Sequence, residues 1–361
     1  MNPVDTKFER HESSMTNGTN PRVRIDDPVL DPSRATRLIQ EATSDTGWLV
    51  REVRSVEVVS DRADRRRTLR FRLTARRAGG PAAEISWYGR QYRGSEGERV
   101  APILRFLRAA AAPDIRIPAP LGYSREARLL LMSESAGRPL SGALEDPIES
   151  RVAASLKRLG RSLASFHSIR SPGPSARSAE RPSFGRWDAF SESLALDEAE
   201  NQLLAAGVEP RIAERLREGC AALRADITKD AGVARAPSMV HRQLSPSHVI
   251  FGADGISLVD LDEAAFGEPE HDLGNLVAHL ILWDLKRGTS VRLASGRAEA
   301  LRAGYLGGGA LRPNRLAAYT SAALLRLATS ERTKNGGVGA PDWTRLTAVL
   351  IEEALPEAVR V

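Results

Sequence analysis

Residues 238–275 limit the possible fold more than any other stretch. An apolar, strand-like run ends in His241, Arg242 and Gln243, and Pro246 then turns the chain. Val249, Ile250 and Phe251 begin a second strand, and Gly252, Asp254 and Gly255 supply a hairpin turn. Residues 256–259 form a third strand that ends at Asp260, and Gly267 and Pro269 lead into an apolar helix from Asp272. Short strands joined in this way deliver polar groups to one place. If the chain runs extended after Asp260, Asp262 faces the same side, because side chains alternate along a strand.

The rest of the chain alternates between two periods. Residues 1–25 are polar, lack periodicity and read as a flexible tail. Asp31 and Pro32 open a helix that runs to Ala42, as N-cap and first-turn residue. From 48 to 93 the period is two, which predicts strands at 50–60, 68–76 and 83–92 with turns at 61–65 and 79–81. A helix follows at 99–111, with Ile103, Leu104 and Leu107 on one face, then strands at 121–123 and 128–132. Beyond 133 helical periods dominate: 149–168, 194–206, 209–225, 272–284, 292–304, 313–330 and 344–354. The glycines at 307–309 and 336–337 separate the last of these. The expectation is an α+β chain of two lobes. Residues 26–132 carry a helix and a small, five-stranded antiparallel sheet. Residues 133–361 are mostly helical and include the 238–275 region and an insertion at 171–236.

His241, Arg242 and Leu244 match the kinase catalytic loop H-R-D-L-x-x-x-N, and Asp260 stands where the metal-binding Asp follows that loop. With Gly267-Glu268-Pro269 and Asp272-Leu273, the chain resembles the aminoglycoside phosphotransferase and choline-kinase-like superfamily over about residues 46–330. The resemblance implies a bilobal, protein-kinase-like fold that takes ATP or GTP with Mg²⁺ or Mn²⁺ between its lobes. It also assigns positions. Gln243 stands at the place of the catalytic Asp and His248 at that of the metal-binding Asn, so the motif is degenerate; Asp260 keeps the metal position. Arg90 takes the place of the lysine that clamps phosphates, with Glu98 as its implied partner (Glu96 is close). Met132, Ser133 and Glu134 resemble the hinge that reads a nucleotide base. Arg65, Arg66 and Arg67 lie at a glycine-free hairpin tip and are expected to be solvated. His167 and Asp272 are implied to be architectural, and His271 is expected to be exposed.

Gln243 cannot accept a proton at neutral pH. The resemblance therefore implies a phosphotransferase homologue with an impaired or lost kinase site, a pseudokinase that binds a nucleotide or another small ligand. The alternative is an active ATP-dependent kinase acting on an alcohol group of an aminoglycoside, a sugar or an amino alcohol, with Asp262 as substitute base and His248 and Asp260 on the metal. A zinc site built from His241, His248, Asp260 and His271 is a third reading, without an H-E-x-x-H or paired-cysteine motif to support it. Net charge is +6, but the arginines are spread along the chain among acidic residues and aromatics make up 5%, so no nucleic-acid partner is expected. The expected partner is a small-molecule ligand or acceptor, or another protein. No apolar run is long enough for a membrane span, and no signal-peptide core is present near the N-terminus. The single Cys220, on an apolar helix face, suits a cytoplasmic protein.

Overall fold

The computed structural model describes residues 27–62, 66–171, 182–229, 236–288, 291–334 and 341–354. The expected tail at 1–25 and the glycines at 336–337 lie outside them. Asp31 caps the first helix, α1 (Pro32–Ala42), its carboxylate accepting from the Arg34 amide. Three long strands follow: β1 (Trp48–Arg62), β2 (Arg66–Arg77) and β3 (Ala83–Tyr92). Then come α2 (Glu96–Ala110), a short β4 (Ile115–Arg116), β5 (Pro120–Ser124) and β6 (Leu129–Ser133). The large strands make one antiparallel five-stranded sheet in the order β1-β2-β3-β6-β5. Strand alternation gives this sheet two different faces. Leu69, Phe71 and Leu73 turn to one side and form a core with Leu38 and Ile39 of α1. Arg66, Thr68, Arg70 and Arg72 alternate with them and take the opposite side, across from Tyr92, Arg90, Tyr88 and Ser86 of β3.

The remainder is mostly helical. After β7 (Arg138–Pro139) and α3 (Leu140–Ala143) comes the long α4 (Glu149–His167). The expected insertion contains β8 (Gly185–Trp187), α5 (Ala189–Ala205) and α6 (Pro210–Thr228). The central stretch gives β9 (Ser238–Val240), a 3-10 turn at Pro246–His248, β10 (Val249–Gly252), β11 (Gly255–Leu258) and β12 (Ala265–Gly267). Among the described residues four helices follow: α7 (Pro269–Lys286), α8 (Val291–Leu306), α9 (Pro313–Lys334) and α10 (Pro341–Ala354). Helix α7 starts three residues before Asp272, so Asp272 lies inside its first turn and not at its cap. Helices α4 and α8 meet backbone to backbone. A Cβ on Gly304 would stand 2.0 Å from the Lys157 carbonyl, and one on Gly160 2.1 Å from that of Leu301. Among the described residues, no helix is long and apolar enough to cross a membrane.

Two small sheets hold the central stretch in place. β10 and β11 form the expected hairpin, flanked by β7 and β4. β12 pairs with β9 on one side and with β8 on the other, which brings the start of the insertion against the loop that follows β9. The core below is continuous: Leu159, Leu163 and Phe166 of α4 pack with Leu244, Leu258, Leu261 and Leu273.

Candidate active site

The loop after β9 is held from below by one buried carboxylate. Asp272 accepts from the His241 amide at 2.6 Å and from the Arg242 amide at 2.8 Å, and its Oδ2 meets His167 Nε2 at 3.1 Å. Asp272 is fully buried; desolvation opposes its charge, but His167 and His271 hold its carboxyl far below the usual carboxylate range. His167 Nδ1 also meets the Tyr305 hydroxyl at 3.0 Å, so both ring nitrogens are engaged inside the core. These are architectural contacts, as expected. Asn275 adds a hydrogen bond from its side-chain amide to the Arg242 carbonyl at 2.9 Å. Arg242 and Asp260 have positive φ, 73° and 64°. A non-glycine residue held there carries strain of about 1–3 kcal/mol, and surrounding contacts must maintain it. The strained residues flank the site on both sides.

The two aspartates meet, though by a different route from the one the sequence suggested. β11 ends at Leu258, and the left-handed turn at Asp260, not an extended strand, brings the carboxylates of Asp260 and Asp262 together. They converge on arginines from the sheet. Arg90 Nη1 donates to Asp260 Oδ1 at 2.9 Å and also to Asp262 Oδ1. Arg66 Nη2 donates to both oxygens of Asp260, at 2.8 and 2.9 Å, and its Nη1 to Asp262 Oδ2 at 2.8 Å. The Tyr92 hydroxyl donates to Asp262 Oδ2 at 2.7 Å. All of these groups are largely buried: side-chain exposure is 9% for Arg90, 13% for Arg66, 14% for Asp260 and 5% for Asp262. Burial disfavours the charge on Asp260, but Arg90 and Arg66 pull its pKa down to about 2. For Arg90, burial opposes the charge and the two aspartates more than restore it, so its pKa is raised. Burial and Asp262 raise that of Tyr92, which stays a donor.

Several expectations change here. Glu98 does not partner Arg90. It lies on the exposed side of α2 and meets Arg125 at 3.2 Å, because α2 is rotated to bury Val100, Ile103, Leu104 and Leu107. The arginines at the hairpin tip are not simply solvated. Arg66 reaches the aspartates, while Arg67, on the other face, meets Asp27 at 2.5 Å; Arg65 is outside the described residues. Asp262 is 4% exposed, enclosed by Arg66, Arg90 and Tyr92. His271 is buried, not exposed: the insertion covers it, with Glu192 at 3.4 Å and the Trp187 ring centroid at 5.6 Å. Sequence reasoning did not assign Arg66 and Tyr92 to the site. They are directly opposite each other in the β2–β3 register, and Tyr92, two residues after Arg90 on the same strand, shares its face by strand alternation.

At the remaining positions, His248 Nδ1–H donates to the Gln243 carbonyl at 2.8 Å, and its Nε2 lies 3.5 Å from Asp260 Oδ2. Its ring stacks on His241, with centroids 5.3 Å apart and planes 4° off parallel. Burial and His241 lower the His248 pKa to about 4, against the pull of Asp260. Gln243 is half-buried. At the positions expected to form the hinge, Met132 is buried, and the Ser133 amide donates to the Ala119 carbonyl at 2.9 Å. Glu134 meets Arg70 at 3.0 Å. A third arginine of the same sheet face therefore reaches the residue after β6.

His248 gives a test in acid. Its folded pKa lies below the value of about 6.5 for a free imidazole, so the unfolded chain binds the extra proton first. The neutral ring's contribution is complete above pH 6.5 and is lost as pH falls towards 4. Between pH 7 and 4.5 urea unfolding should lose about 2 kcal/mol more in the wild type than in His248→Gln. Equal losses would contradict this assignment.

A divalent cation does not fit this geometry. The point on which Asp260 and Asp262 converge is held by Arg90 Nη1, and Arg66 covers the outer oxygens. Among the described residues, no group of three or more His, Cys, Asp or Glu side chains gathers to hold a metal ion.

Residues 56–313 match the family model of the phosphotransferase enzyme family, and the chain belongs to that family. Solved structures share the fold. An apo thermostable mutant of the aminoglycoside phosphotransferase APH(4)-Ia aligns with a TM-score of 0.55 at 15% identity, over 88% of this chain and 97% of its own. The GDP complex of aminoglycoside 2'-phosphotransferase-IIIa gives 0.52 at 14% identity, over 90% and 98%. A choline/ethanolamine kinase family protein from Mesorhizobium loti gives 0.51 at 15%, over 84% and 92%. No curated protein matches the chain in sequence. The kinase-like fold expected from residues 238–275 is thus the observed one.

Proposed function

We propose that this chain is a pseudokinase of the phosphotransferase enzyme family, a cytoplasmic protein that takes a nucleotide or related small ligand between its lobes without transferring phosphate. The observation that carries the reading is the pairing of Asp260 and Asp262 with Arg66 and Arg90. Phosphoryl transfer is positioning plus electrostatic stabilisation, and in kinases the metal ions bridge carboxylates and phosphates. Here guanidinium groups occupy the carboxylates. Gln243, at the base position, leaves an acceptor hydroxyl without a proton acceptor; loss of a general base alone costs about 10²- to 10⁴-fold in rate. Support for a small ligand comes from the family, whose structures include a GDP complex of an aminoglycoside phosphotransferase.

The test is turnover of ATP and GTP with Mg²⁺ or Mn²⁺, over a panel of aminoglycosides, sugars and amino alcohols, with Asp260→Asn beside the wild type. Kinases turn over at about 1–100 s⁻¹. The expected rate is below about 10⁻² s⁻¹ and the same in both proteins. A rate near 1 s⁻¹ that disappears in Asp260→Asn would overturn the reading.

A further inference from the structure

We propose that the cleft binds a phosphate-bearing anion without a metal ion, with Arg66 and Arg90 as tethered cations in place of the metal. The proposal rests on the pseudokinase reading and adds the kind of ligand and the charge that holds it. Charge balance is its first support. One divalent cation on two carboxylates is a neutral unit, and so are two guanidinium groups on two carboxylates. The second support is position. Arg90 Nη1 is shared between Oδ1 of Asp260 and Oδ1 of Asp262, the place where a bridging cation would sit. The third is unused donor capacity. A guanidinium carries five N–H groups. Both of Arg90's bonds to the aspartates run through Nη1, while its Nε is buried with no partner among the described residues. A buried donor without an acceptor is costly, and an anionic oxygen is its natural partner.

The neighbouring groups agree with this. Thr68 stands opposite Arg90 and next but one to both Arg66 and Arg70 on the same sheet face. Arginine, unlike a bound metal, cannot be removed by a chelator and does not titrate in the physiological range.

The probes are pyrophosphate and ADP, with sulfate at matched ionic strength as control, measured by isothermal titration calorimetry in excess EDTA and again in excess Mg²⁺. Binding in EDTA that Mg²⁺ does not tighten is expected, with sulfate at least about tenfold weaker. A hydrogen bond to a charged group contributes enough for a loss of about 10- to 100-fold when its donor is removed. That loss is expected for Arg66→Gln and for Arg90→Lys. Arg66→Gln leaves Arg90 on both aspartates, so it keeps a buried cation should Arg90→Lys fold poorly; thermal unfolding of each variant checks this. Binding only with Mg²⁺, binding in EDTA that Arg66→Gln leaves unchanged, or no binding of either probe would each overturn the proposal. None of these outcomes bears on turnover, which decides the pseudokinase reading separately.

Discussion

Asp272→Ala is expected to destabilise the chain by about 3–5 kcal/mol, more than any substitution on its surface. The carboxylate is fully buried and is the acceptor for two consecutive backbone amides, those of His241 and Arg242. It also holds His167, whose other nitrogen is fixed by Tyr305. Alanine would leave these donors inside a dry core. Each buried donor that loses its acceptor costs about 1–3 kcal/mol. The strain at Arg242 adds to this, because its left-handed backbone is maintained by Asp272 from the amide side and Asn275 from the carbonyl side. Urea unfolding of the variant and the wild type measures the difference. A loss under about 1 kcal/mol would mean that the loop is held by something else. Asp272→Asn should fall between the two, since its carbonyl can accept one bond while its amide meets donors on the other side.

The second large effect belongs to Asp262. Removing one member of a buried ionic cluster leaves the others without compensation and costs about 3–5 kcal/mol. Asp262→Ala removes one of the two acceptors of Arg90 Nη1, and with it the acceptor of Arg66 Nη1 and that of the Tyr92 hydroxyl. The cost should then depend on Arg90. With Arg90→Met in the same chain the uncompensated charge is gone, and Arg66 Nη2 remains paired with both oxygens of Asp260. The double variant is expected to be more stable than the sum of the two single losses by more than about 1 kcal/mol, read from a double-mutant cycle by urea unfolding. Additive losses would show that Arg90 and Asp262 do not act as a unit.

The two contacts differ in how they could be read beforehand. Asp272 stands with Gly267, Pro269 and Leu273 in the stretch that carries the family resemblance, and that resemblance implied its architectural role. The switch from a period of two to a helical period after residue 133 marked the sheet and the helical remainder equally well, because burial on one face imposes it. The arginine cluster was not legible. Arg66 and its aspartates are separated by 194 and 196 positions, and no local pattern says which distant carboxylate a strand residue meets. For Glu98 the pairing implied by the resemblance does not form, because the rotation of α2 is set by its apolar side, which turns Glu98 outward. For His271 the deciding fact was tertiary too, since Trp187 and Glu192 of the insertion cover a position that opens a helix.

The central claim is that Arg66 and Arg90 hold the carboxylates that a metal ion would otherwise bind. The most direct measurement is a crystal of the wild-type protein soaked in Mn²⁺ and ADP, with data collected at the manganese absorption edge. The account predicts no anomalous peak between Asp260 and Asp262, with both guanidinium groups still on the aspartates. A manganese peak coordinated by Asp260, with Arg66 and Arg90 swung aside, would contradict it.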